Sequence, residues 1–230
     1  MKAYFFDLDG TLTDARDGLH SSFRAALSAI GLNSPGSAEL DRFLGTPLPE
    51  MFRALKPGIS QKEIEGGIAA FRTAYEGGGI RLNRLYPGVR EMLQKLKHNG
   101  TPVWIVTSKP QPYADEVVED LGLRPLVAGV VGAGLEEVDT KRELVSRAIS
   151  EAGVAASDVI MLGDRHYDIE GALQNGVAAV GALWGYGSLE ELKSAGCKTF
   201  AKSVSDFCRQ FVDVSTAALT ALSVPHAAAG

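Results

Sequence analysis

Asp7 and Asp9 stand two residues apart at the end of the apolar run Tyr4-Phe5-Phe6, and Gly10-Thr11 follows at once. The pattern predicts a buried strand that delivers two acids into a turn. In an extended segment residues i and i+2 point to one side, which aims both carboxylates at a common point. Carboxylates that close repel unless a cation sits between them or one keeps a proton. Thr107 and Ser108 close a second apolar run, 103–106, and Lys141 opens a helical stretch. Gly163-Asp164-Arg165-His166-Tyr167-Asp168 closes a third apolar run, 159–162. Each piece has a plainer reading: an Asp-rich turn, an N-cap at Thr107-Ser108, a solvated lysine, and two aspartates complementing a helix dipole. Together those readings require four independent coincidences at strand ends. Four carboxylates, a hydroxyl and an ammonium on one rim instead suit a hard divalent cation with oxygen ligands, Mg2+ first.

The elements that must position these groups alternate. From Tyr86-Pro87-Gly88 onward the reading is a helix to about 99, a strand at 103–107, a helix at 112–121 and a strand near 126–131. A helix over 140–152, a strand at 159–162, a helix around 169–174 and a strand at 177–182 follow, with a short helix from 188, an edge strand at 198–200 and a helix around 205–212. Strands alternating with helices predict a Rossmann-like parallel α/β sheet with helices on both faces, whose chemistry collects at the carboxyl ends of the strands. Residues 15–80 read differently, as consecutive helices without a strand. Leu19, Phe23, Ala26, Leu27 and Ile30 fall at helical spacing, and Ser60 with Glu63 reads as a capping box for a helix to about 76. Gly77-Gly78-Gly79 ends the run. The expected organisation is an α/β core of 1–14 and 81–213, a helical cap of 15–80 on hinges at 14–17 and 77–85, and a disordered tail of 214–230.

Composition narrows the partners. The chain has 230 residues, 45% hydrophobic and 22% charged, with a formal net charge of -5, which is the profile of a globular protein without a Lys/Arg cluster dense enough to track nucleic acid. Cys197 and Cys208 are the two cysteines, with no CxxC and no zinc spacing, so reduced thiols in a cytoplasmic protein are expected. The opening strand leaves no room for a charged-then-apolar leader, and no apolar run is long enough to span a bilayer. Monomer and homodimer both stay open.

In this order, Asp7-Leu8-Asp9-Gly10-Thr11-Leu12, Val106-Thr107-Ser108, Lys141, and Gly163-Asp164 with Asp168 resemble the motif set of the haloacid dehalogenase-like hydrolase superfamily. The helical insert after the first motif is similar to that of its phosphoglycolate phosphatase-like members. The resemblance spans about residues 3–212 and implies a phosphatase for small phosphomonoesters, with a small phosphorylated metabolite as its partner. It implies Asp7 as nucleophile, forming an aspartyl-phosphate, and Asp9 as acid for the leaving alcohol and then base for water. Mg2+ would be held by the Asp7 and Asp164 side chains, the Asp9 carbonyl, and Asp168 directly or through water. Thr107 and Lys141 would bind phosphoryl oxygens, with Ser108 and Lys109 as candidate neighbours or substrate contacts. One departure is Arg142 after the lysine, where many relatives carry proline. Asp9 argues for phosphoryl transfer over dehalogenation, since a halide leaves unprotonated. In the insert, Arg42 is the candidate partner for a substrate carboxylate; Phe43, Tyr86 and Trp184 are candidates for stacking on a base. The alternatives are a 5'-nucleotidase-type phosphatase, a β-phosphoglucomutase-like sugar phosphomutase, and a phosphate-accepting signalling module; receiver modules of the last type are about half this length and lack the acid at Asp9.

Overall fold

The computed structural model describes residues 2–135 and 139–213; the expected tail at 214–230 lies outside them. The chain falls into two compact units, one made of the residues up to Leu12 and from Leu85 onward, the other of Thr13–Arg84.

The first strand, β1 (Ala3–Phe6), is buried throughout. The chain then passes through β2 (Thr13–Asp14), α1 (Arg16–Ala29), α2 (Ser37–Leu40), α3 (Leu48–Leu55), α4 (Gln61–Glu76) and β3 (Arg84–Leu85), with β2 and β3 paired as a short ribbon. Within Thr13–Arg84, Phe23 of α1 meets Phe71 of α4 at 5.5 Å, and Phe71 stacks on Tyr75 at 5.6 Å. The capping box expected at Ser60 is formed: its hydroxyl accepts the Glu63 N–H, and the Glu63 carboxylate accepts the Ser60 N–H. Between α1 and α3 the chain forms α2 and a 3-10 turn at Asp41–Phe43. Pro47 and Pro49 sit at the N-cap and in the first turn of α3, where a missing N–H costs nothing.

The chain returns through α5 (Val89–His98), β4 (Val103–Pro110), α6 (Gln111–Asp120), β5 (Gly129–Ala133), α7 (Lys141–Ala152), β6 (Val159–Gly163), α8 (His166–Gln174), β7 (Ala178–Ala182), α9 (Leu189–Ser194), β8 (Phe200–Ala201) and α10 (Val204–Phe207). Six strands form one parallel sheet in the order β5-β4-β1-β6-β7-β8. The period of two in β1 divides its side chains between the two faces. Ala3 and Phe5 join Val106, Leu144, Val145 and Met161 in the core beneath α7, while Tyr4 and Phe6 pack edge-on against Phe207 of α10. Tyr4 also donates its hydroxyl proton to the Phe211 carbonyl at 2.6 Å. The fold is therefore the Rossmann-like α/β architecture, its sheet order reversing on either side of β1.

Some boundaries differ from the pattern reading. β5 starts later than 126, because Arg124–Leu126 is a 3-10 turn. The edge strand lies at Phe200–Ala201, one to two residues beyond its expected place. The last helix widens into a π turn at Cys208–Val212. Both cysteines are free thiols, and among the described residues no helix is long and apolar enough to cross a membrane.

Candidate active site

Three carboxylates and one ammonium meet at the carboxyl ends of β1 and β6. The Asp7 N–H extends the β1–β6 ladder by donating to the Leu162 carbonyl at 3.0 Å, which fixes the residue directly beyond the strand. Asp164 follows β6, and Asp168 sits in the first turn of α8. Asp7, Asp164 and Asp168 are buried and bring one oxygen each to within 4.8 Å of one another. Lys141, the first residue of α7, is buried with them: its Nζ lies 2.6 Å from Asp7 Oδ1 and 2.7 Å from Asp168 Oδ1. Thr140 sets the start of that helix, its hydroxyl accepting the Glu143 N–H while the Glu143 carboxylate accepts the Thr140 N–H. Lys141 reaches inward because α7 and α8 approach closely at Gly171, where a Cβ would stand 2.9 Å from the Lys141 carbonyl carbon.

The charge is not balanced by protein groups alone. Burial would lower the Lys141 amine, but the charges of Asp168 and Asp7 more than reverse this, so it stays an ammonium. Burial pushes the Asp7 carboxyl up to about 7 against the pull of Lys141, with Asp168 and Asp9 adding to the rise. Burial, then Asp7 and Asp168, raise Asp164 well above the ordinary carboxylate range. One ammonium thus faces three desolvated carboxylates. That donor set, all hard oxygens with uncompensated negative charge, fits a divalent cation of the Mg2+ kind.

Asp9 is arranged apart from this cluster. Its carboxylate pairs with Lys109 Nζ near the end of β4, so the two acids of the opening motif face different ammonium groups. β1 ends at Phe6, and the i, i+2 argument for an extended strand therefore stops short of Asp9. Thr107 is 2% exposed and lies inside β4, not at an N-cap; its Oγ1 accepts the Lys109 N–H at 3.2 Å. Ser108 is exposed, and Arg42 is an exposed residue of the 3-10 turn in the Thr13–Arg84 unit.

Sequence reasoning passed over several groups in this region. Thr11 Oγ1 donates to Asp164 Oδ1 at 2.9 Å, the Tyr186 N–H donates to Asp164 Oδ2 at 2.8 Å, and Trp184 Nε1 donates to the Thr11 carbonyl at 3.0 Å. Trp184, a candidate for base stacking by residue type, has its indole N–H committed within its own unit. Glu191 of α9 anchors the residues between the two motif aspartates: its Oε1 accepts from Arg165 Nε at 2.8 Å, from the His166 N–H at 3.0 Å, and lies 2.8 Å from His166 Nδ1. The signal available in the sequence was Gly185-Tyr186-Gly187 directly after an apolar strand.

Known proteins share this arrangement of chain. The family described as haloacid dehalogenase-like hydrolase matches residues 4–182. A 5'-nucleotidase of Pseudomonas aeruginosa is 34% identical over 190 residues, covering 82% of this chain and 86% of that protein. A phosphoglycolate phosphatase of Vibrio parahaemolyticus is 28% identical over 214 residues, covering 90% and 94%. The crystal structure of a predicted phosphatase from Clostridium acetobutylicum superposes with a TM-score of 0.86 at 30% identity, covering 93% of this chain and 99% of that one. With the family match running from β1 through β7, and with the parallel sheet in place, this chain belongs to the haloacid dehalogenase-like hydrolases.

Proposed function

We propose that this phosphatase hydrolyses small phosphomonoesters through a phosphoryl group carried on Asp7, with Mg2+ held by Asp7, Asp164 and Asp168 and by the Asp9 carbonyl. The observation that carries the reading is Asp7 itself, buried at the strand end 2.6 Å from the Lys141 ammonium and beside two further carboxylates. When bound, the cation supplies charge neutralisation for the meeting of a carboxylate with a phosphate dianion. The remaining steps belong to side chains. A carboxylate oxygen of Asp7 attacks phosphorus; the bond from phosphorus to the ester oxygen breaks, and Asp9 gives that oxygen a proton. Asp9 then takes a proton from water as the water oxygen attacks phosphorus; the bond to Asp7 breaks, and inorganic phosphate leaves. Lys141 holds Asp7 in place and offsets the incoming charge, and the Thr107 hydroxyl binds a phosphoryl oxygen.

In this reading Thr13–Arg84 is a cap that selects the leaving group. Two substrates are supported: nucleoside 5'-monophosphates by the 5'-nucleotidase relative, and phosphoglycolate by the Vibrio relative together with an exposed arginine at 42. The test is phosphate release from 4-nitrophenyl phosphate and from a panel of these metabolites, with Mg2+ and with chelator. Turnover is expected only with Mg2+, with Asp7→Asn slower by at least ~10⁴-fold. Metal-independent turnover, or an Asp7→Asn enzyme as fast as the wild type, overturns the reading. Isomerised sugar phosphate formed faster than free phosphate identifies a mutase instead.

A further inference from the structure

Asp164 is enclosed by backbone to an extent that neither Asp7 nor Asp168 is. It is 0% exposed, and three glycines crowd it. A Cβ on Gly10, on Gly185 or on Gly187 would overlap Asp164 atoms: the carboxylate for Gly10, the Cβ and Cγ for Gly185, and the backbone carbonyl for Gly187. Gly10 also has φ of 91°, which a side chain would strain. Two of these glycines belong to the short segment after β7, Trp184-Gly185-Tyr186-Gly187, and that segment holds Asp164 in two ways. The Tyr186 N–H donates directly to Oδ2 at 2.8 Å. The Trp184 indole donates to the Thr11 carbonyl at 3.0 Å, and Thr11 donates its hydroxyl proton to the other oxygen, Oδ1, at 2.9 Å. Each carboxylate oxygen so receives one donor in a fixed direction, which keeps a second lone pair on each for a cation and removes the freedom to rotate.

We propose that the 184–187 loop is a positioning device for Asp164: the Trp184 indole, the Tyr186 N–H and the side-chain-free faces of Gly185 and Gly187 set the carboxylate for divalent-cation binding. The inference rests on the metal reading of Asp7, Asp164 and Asp168 given above. A loop that only covers the end of β7 would affect stability, whereas a positioning loop affects affinity for the ion. Trp184→Phe removes the indole donor and keeps an aromatic ring; Gly187→Ala pushes a methyl onto the Asp164 backbone.

The experiment measures Mn2+ dissociation constants by electron paramagnetic resonance on metal-free full-length protein, beside the melting temperature of each metal-free variant. Phe211→Leu, in the buried aromatic cluster of Tyr4, Phe6 and Phe207, serves as a core variant of reduced stability. Wild type and Phe211→Leu are expected to bind Mn2+ alike, and Trp184→Phe and Gly187→Ala about tenfold or more weakly. Where Gly187→Ala fails to fold, Trp184→Phe decides alone. Wild-type affinity in Trp184→Phe overturns the inference and leaves the metal site standing, as does a Phe211→Leu protein weakened to the same degree. A wild-type protein that binds no Mn2+, like Asp164→Asn, overturns the metal site and the inference together.

Discussion

Asp9 and Asp7 differ in what holds them, and the difference makes their roles separable. Asp7 shares the Lys141 ammonium with Asp168, whereas Asp9 has the Lys109 ammonium. In the proposed reaction, replacing Asp9 removes the proton carrier while leaving the Lys141 contacts to Asp7 and Asp168 in place. Asp9→Asn is expected to slow hydrolysis of alkyl phosphates by about 10²–10⁴-fold. Phosphoryl transfer from 4-nitrophenyl phosphate falls less, because nitrophenolate leaves without a proton; the phosphorylated enzyme then accumulates. Burst kinetics on both substrates check this, and an equal loss on the two would contradict it. At this scale the sequence was informative where a side chain carries the chemistry. Asp7, Lys141, Asp164 and Asp168 lie far apart in the chain, yet their places at strand ends and helix starts single them out, and the structure brings them together. The Tyr186 N–H on Asp164 was not legible, since every residue but proline has that donor and only the fold aims it. The Lys109–Asp9 pair was missed for a related reason: Lys109 stood as a candidate neighbour or substrate contact, and nothing in the sequence names a partner 100 positions away.

Two helix contacts control the site from a distance. The α7–α8 crossing at Gly171 is tight enough that a methyl there meets the Lys141 backbone. Gly171→Ala is expected to cost ~1–3 kcal/mol through overpacking, to shift the start of α7 and to lower kcat, read by thermal melting and steady-state kinetics. Unchanged kcat at wild-type stability would show that Lys141 is placed by other means. On α9, burial alone would raise the Glu191 carboxyl, but hydrogen bonds from Arg165 and from the His166 N–H and ring bring it down to about 2. The carboxyl is depressed in the folded state, so its contribution is fully present above about 4.5, the ordinary value, and is lost as pH falls toward 2. Wild type is therefore expected to exceed Glu191→Gln in melting temperature at pH 6, with the gap narrowing below pH 4.5. A gap independent of pH would contradict the role of the ionised carboxylate. Elements were legible where capping chemistry is local, as at Ser60 with Glu63. They were misplaced where tertiary contacts override pattern: β4 continues past Thr107 to Pro110 because β5 pairs with it to Ala133 across an irregularity in register.

At the scale of the whole chain, the parallel sheet was legible because strand and helix periods alternate, and its order was not, because nothing in an apolar run names its neighbour. The sheet also implies a thermodynamic signature for the metal. An ion that binds the folded cluster and not the dispersed aspartates stabilises by about 2.7 kcal/mol at a concentration 100 times its dissociation constant. Added Mg2+ is expected to raise the melting temperature of wild type and not of Asp164→Asn, and a shift common to both would mark nonspecific binding.

The position of β1 has a consequence in time as well as in space. Phe5 pairs with Trp104 on one side and Met161 on the other, so the strand that leads into Asp7 precedes both of its sheet neighbours in the chain by about a hundred residues or more. During synthesis it has no sheet partner until β4 appears and only one until β6 does, while α1 can meet α4 as soon as Glu76 is added. Sequence separation of this length makes the sheet the slow step and the helical unit the fast one. Until β6 is made the four apolar residues of β1 keep an open edge, and the insertion of Thr13–Arg84 between β1 and β4 prolongs that exposure.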